Sequence, residues 1–116
     1  MRGYEDLTVW QRSMELVASC YRVSQAFPRA EQFGLTNQLR RSAVSVPANI
    51  AEGNGRWHRK EYVHHLSIAR GSLKEAETFL KIAVMLGYIT LNEVAEALRL
   101  ADEISRMLTT MRRRLS

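Results

Sequence analysis

The residues best suited to chemistry in this chain are cations grouped around one indole: Arg56, Trp57, His58, Arg59 and Lys60, in succession. Such cations neutralise phosphates, and the flat indole face accepts a stacked base, so the composition points to nucleic acid. Arg112, Arg113 and Arg114 extend the basic set near the C-terminal end. The competing reading is a helix-capping loop whose charge only keeps the surface soluble. A second polar set, Arg41, Ser45, Asn49, Glu52 and Arg56, recurs beside the apolar series Leu35, Leu39, Ala43, Val46 and Ile50. Steps of three and four residues place each series on its own stripe of one helix. Serine and asparagine serve a solvated helix face poorly, so the polar stripe reads as a partly buried seam. It is expected to lie against the third helix, with Ser72 in the seam and Glu75 as its partner.

Other chemistries find less support. His58, Glu61 and His65 can share one helix face, but one such cluster lacks the second half of a metal site. No serine stands in a Gly-x-Ser-x-Gly setting, and the glycines form no phosphate loop. The single cysteine, Cys20, sits in an apolar stripe with no evident base to activate it. No cofactor, metal or catalytic residue is therefore expected. One sharper pattern is Arg59 with His64, whose Arg-x4-His spacing resembles the motif of HEPN-type endoribonucleases. That resemblance implies an arginine steadying phosphate and a histidine in acid–base cleavage. Lys60 departs from it, since that family usually places a smaller polar residue there.

The elements that must position these residues are helical. Two prolines and six glycines in 116 residues leave few breaks. Periodicity predicts helices over about 8–26, 30–54, 59–86 and 91–114. Thr8 with Gln11, and Thr90 with Glu93, have capping-box spacing. Pro47 is expected to kink the second helix, and Gly87 to close the third. The third helix carries Leu66, Ala69, Leu73, Ala76, Leu80 and Ala83 on a seven-residue repeat, and Ile68, Ser72, Glu75, Phe79, Ile82 and Leu86 on a second. The first helix is likewise two-faced, with Leu7, Trp10, Met14, Val17 and Tyr21 beside Val9, Ser13, Leu16, Cys20, Val23 and Phe27. The fourth is expected to bury Leu91, Val94, Leu98, Ala101, Ile104, Leu108, Met111 and Leu115.

Short connections between such helices predict a single domain over 1–116, an antiparallel up-down four-helix bundle. Its apolar stripes exceed what one bundle can hide, so a homo-oligomer is expected. A hydrophobic share of 46% supports a core, and a net charge of +5 suits an acidic partner such as RNA. One cysteine argues for a reducing compartment, and no segment has the length and apolarity of a membrane span, so the cytoplasm is the expected location.

The chain also resembles a known family, the small bacterial four-helix-bundle or 23S rRNA-intervening-sequence proteins. The resemblance rests on Asp6-Leu7, Val9-Trp10-Gln11, Phe27-Pro28, Glu31, Gly34-Leu35 and Gln38-Leu39-Arg40-Arg41. It continues through Ser45 to Gly53, Gly55-Arg56, Glu61, Ile68-Ala69, Gly71-Ser72-Leu73, Glu75, Glu77 and Leu86-Gly87-Tyr88. It implies an up-down bundle assembled as a ring-like homopentamer, similar to the accessory protein of diversity-generating retroelements, a basic pentamer that works with a reverse transcriptase and its RNA. The family supplies no catalytic residues, and it makes Asn49, Glu52, Gly53, Gly71, Ser72 and Glu75 packing and assembly determinants. The expected function is a non-enzymatic bundle presenting a basic surface to RNA or a ribonucleoprotein. Two alternatives stand beside it: a purely structural or partner-binding assembly, and the ribonuclease.

Overall fold

The computed structural model describes residues 3–116. Four helices account for most of them: α1 (Thr8–Ser24), α2 (Leu35–Gly55), α3 (Arg59–Met85) and α4 (Leu91–Leu115). Among the described residues there is no strand, so the fold is all-α. Short 3-10 turns at Tyr4–Asp6 and Arg29–Glu31 precede α1 and α2. Each helix lies against two others: α2 against α1 and α3, and α4 against α1 and α3. The long dimension of 43 Å is close to the length of α3, since 27 helical residues rise about 40 Å.

The helix ends show which local signals operate. Thr90 and Glu93 form a full capping box: Glu93 N–H donates to Thr90 Oγ1 at 3.2 Å and Thr90 N–H to Glu93 Oε1 at 3.1 Å. Gly87, at φ +79°, turns the chain out of α3 in the left-handed region that glycine occupies without strain. Thr8 makes no such box. Leu7 is the N-cap of α1, without a side-chain cap, and Gln11 Nε2 donates instead to the Glu5 carbonyl at 2.9 Å. α2 starts at Leu35 rather than near 30, because Glu31 folds back on it. The Glu31 carboxylate accepts from Leu35 N–H at 3.0 Å and from the Tyr88 hydroxyl at 2.8 Å. Those two donors, the backbone amide first, hold the Glu31 carboxyl below its ordinary pKa. A side chain at Gly34 would place its Cβ 2.6 Å from Glu31 Oε1, so the carboxylate would have to move off the Leu35 amide to admit it. Pro47 is buried, and α2 runs through it without a break in the helix.

The core is built from one face of each helix. Val9, Leu16, Cys20 and Val23 of α1 meet Leu39, Ala43, Val46 and Ile50 of α2 and the full Leu66–Ala83 repeat of α3. In α4 the buried set is Val94, Ala97, Leu100, Ala101, Ile104 and Leu108. Leu91 falls outside it, 66% exposed, because the helix starts beyond the core. Burial pushes the Cys20 thiol up to about 12, so it behaves as a small core residue and holds its proton at neutral pH. The second stripes of α1 and α3 are left half open: Met14 and Tyr21 on the first, Ile68 and Leu86 on the third.

Candidate nucleic-acid interface and the polar seam behind it

The polar stripe of α2 is knitted into α3 by a run of hydrogen bonds and charged contacts. Ser45 Oγ lies 2.8 Å from Ser72 Oγ. Asn49 Nδ2 donates to the Ser45 carbonyl at 2.9 Å and to its hydroxyl at 3.0 Å. The amide nitrogen being committed, Asn49 Oδ1 is the acceptor for His65 Nδ1 at 3.0 Å, and that ring nitrogen carries the proton. His65 Nε2 then faces Glu52 Oε2 at 3.5 Å, and the same carboxylate oxygen takes Arg56 Nη2 at 2.6 Å. Arg56 Nη1 reaches on to Glu61 Oε2 at 3.3 Å. The partners 45–72, 49–65 and 54–62 converge on the α2–α3 turn, the last through Asn54 Nδ2 and the Tyr62 hydroxyl at 3.3 Å. Satisfied polar groups of this kind fix the register of two helices, since a one-turn slip would leave several of them unpaired.

Arg41 and Glu75 stand outside this run. Both are exposed and hold no hydrogen bond or ion pair among the described residues, and they line one shallow depression with Asn37, Ser45, Ser72 and Phe79. Glu75 therefore does not serve as the seam's partner within the chain. His65 fills that position. Glu61 and His64 also stand in the Glu-x-x-His spacing used by di-iron bundles, but Glu61 is engaged by Arg56 and the sequence holds no second such pair for a facing helix.

The hydrogen bond from Arg56, aided by the charge of His65, holds the Glu52 carboxyl below its ordinary pKa. A lowered pKa contributes stability that is complete above the unfolded value of about 4.3 and disappears as pH falls through the folded value. Glu52→Gln should therefore melt below the wild type at neutral pH, with the gap closing in acid. Thermal melts of the two proteins at neutral pH and near pH 3 check this, and a gap that persists in acid contradicts it.

The cations separate into two groups. Arg56 is spent on Glu52 and Glu61, so it fastens the turn. Arg59 and Lys60, in the first turn of α3, and Arg112, Arg113 and Arg114, in the last turn of α4, are exposed and have no acidic partner among the described residues. These two segments, far apart in sequence, share one end of the bundle. Arg112 lines a depression with Leu66, Ser67 and Arg70, while Arg114 lines a groove with Asn54 and Tyr62. Arg70, likewise without an ion pair among the described residues, joins the basic surface and was not among the sequence candidates; it becomes visible once the end of α4 is set beside the first half of α3. The groove beneath, about 760 Å³, is lined mainly by Leu7, Val9, Met107, Met111 and Leu115, with Arg106 and Arg114 as its cations. Trp57 is 95% exposed on the Arg56–His58 turn. His64 shares a depression with Arg56, Lys60, Glu61 and His65; Arg59 is not among the residues lining it.

The family model of the 23S rRNA-intervening sequence proteins matches residues 5–110 of the chain. Among solved structures, a protein of unknown function from the S23 ribosomal protein family of Bacteroides thetaiotaomicron is similar, with a TM-score of 0.80 at 24% identity. The alignment covers 90% of this chain and 97% of that one, and at such identity it shows a shared fold. No curated protein matches the chain.

Proposed function

The chain belongs to the 23S rRNA-intervening sequence protein family, and from that premise we propose a non-enzymatic, antiparallel up-down bundle that assembles into a ring-like homo-oligomer and presents its basic end to RNA within a ribonucleoprotein. The observation that carries this reading is that cations without an ion pair among the described residues, Arg59 and Lys60 from the start of α3 and Arg112 to Arg114 from the end of α4, stand at the same end of the molecule. Elsewhere Arg12 pairs with Glu15 and Glu103, Lys74 with Glu77, Arg99 with Glu96 and Glu103, and Arg106 with Asp102. Arg22, Arg29, Arg41 and Lys81 hold no ion pair among the described residues but lie singly along the chain rather than in a run. An end left with free cations from two helices is a phosphate-binding surface on general electrostatic grounds. A cytoplasmic setting goes with this reading, and a buried, protonated Cys20 is compatible with it. No helix among the described residues is long and apolar enough to cross a membrane.

Assembly is supported by what the single chain leaves uncovered. A surface runs from Tyr21 across Val44 and Arg41 of α2 to Glu75 and Phe79 of α3. Ile68, Gly71 and Glu75 share one stripe beside it, and a Cβ added to Gly71 meets nothing within 4 Å in this chain. Glycine inside an exposed helix costs about 0.5–1 kcal/mol relative to alanine, with nothing in the chain to recompense it. A second copy lying close on that stripe accounts for it; the family resemblance implies five copies. Gly71→Ala is therefore expected to lower the oligomeric mass in light scattering while helix content is retained. An unchanged mass with a raised melting temperature would sink the proposed interface. RNA titration of the wild type tests the binding half: no complex at low salt leaves a purely structural assembly, and RNA cleavage lost on His64→Ala replaces both with the ribonuclease.

A further inference from the structure

We infer that the turn carrying Trp57 is a stacking site for an unpaired base of single-stranded RNA, with Arg59 and Lys60 holding the adjoining phosphates. This inference rests on the RNA reading above and sharpens it to a substrate class. Trp57 is 95% exposed, so the indole gains nothing from the fold that places it there. Its turn is nevertheless held firmly. Arg56 is clamped between Glu52 and Glu61, and Asn54 is hydrogen-bonded to Tyr62 across the α2–α3 junction. A held turn that thrusts an uncovered indole into solvent is a platform rather than a loose end.

The surroundings select the ligand. Two and three residues after the indole come Arg59 and Lys60, exposed and without an ion pair among the described residues. The N-cap residue of α3, His58, gives no side-chain hydrogen bond to the first amides, so the positive end of the helix dipole adds to these cations. On the other side, the Arg56 charge is already taken up by two carboxylates, so a phosphate backbone is steered toward Arg59 and Lys60. A flat aromatic beside a one-sided row of phosphate donors fits a strand whose bases are free to splay out. In a duplex the base faces are occupied by their neighbours, and the indole has nothing to stack on.

The test is a fluorescence titration with oligoadenylate and oligouridylate of about twelve nucleotides, and with a duplex of equal length. Trp10→Phe removes the other indole, so that the signal comes from Trp57 alone. Single strands are expected to quench Trp57, and Trp57→Ala to weaken their binding roughly five- to a hundredfold, one stacked base's share. Trp57→Phe should keep most of the affinity, and duplex binding should be weaker and indifferent to both variants. Single-strand affinity unchanged in Trp57→Ala overturns this inference and leaves the RNA reading standing. So does a Trp57→Ala protein of lower oligomeric mass and unaltered affinity, which would assign the indole to a neighbouring copy. Failure of any RNA to bind overturns both.

Discussion

Gly53→Ala is expected to lower the melting temperature by about 5–10 °C, although it places a better helix former inside a helix. Gly53 is buried on α2 where it packs against Tyr62 and His65 of α3. A Cβ there would stand 2.8 Å from the His65 Cβ, 3.0 Å from a Tyr62 ring carbon and 3.3 Å from the Tyr62 carbonyl. None of these is the free end of a flexible side chain, so the helices themselves must separate. Overpacking of this kind costs about 1–3 kcal/mol, against at most about 1 kcal/mol gained from propensity. The separation would also stretch the bonds between His65 and Asn49 and between Tyr62 and Asn54. Gly55→Ala is the internal control, since an added Cβ there meets nothing within 4 Å. Melts of both variants decide the matter: equal stability would show that the α2–α3 approach is softer than its geometry.

Much of this architecture was legible in the sequence, and the gaps have physical causes. The Leu66–Ala83 repeat of α3 predicted its buried face residue by residue, because a seven-residue alternation of large and small side chains suits only a close helix contact. Thr90 with Glu93 and Gly87 marked real helix ends, their partners being only a few residues away. Thr8 with Gln11 had the same spacing and formed no box, since Gln11 found the Glu5 carbonyl instead. The start of α2 was misplaced because its cap, Glu31, acts from within a separate turn tied to Tyr88, 57 residues away. The same limit applies at the site. The α2 stripe showed in its spacing, but His65, which joins Asn49 to Glu52, depends on the register between two helices. Likewise the isolation of Glu75 and the exposure of Trp57 are tertiary facts; composition alone offered both as partners of something.

Neutralising the basic end should have the largest functional effect. Replacing Arg59, Lys60, Arg112, Arg113 and Arg114 together with glutamine removes five exposed cations that hold no ion pair among the described residues. Because none of them supports the core or the seam, the fold and oligomeric mass should be retained. If they engage phosphate, RNA affinity at low salt should fall by roughly a hundredfold or more, since each cation that displaces a counterion contributes separately. Arg56→Gln should behave differently, loosening the turn through Glu52 and Glu61 before it affects charge contacts. A five-site variant that binds RNA as the wild type does would move the interface elsewhere on the molecule.

The measurement that bears most directly on the central claim is a salt series of RNA binding, run on wild-type and five-site variant proteins of verified oligomeric mass. The account predicts tight binding at low salt whose logarithm falls linearly with the logarithm of salt concentration, by about 0.7 per cation engaged on a single strand. The variant should show both lower affinity and a shallower slope. Absence of binding at the lowest salt, or one slope shared by the two proteins, would contradict it.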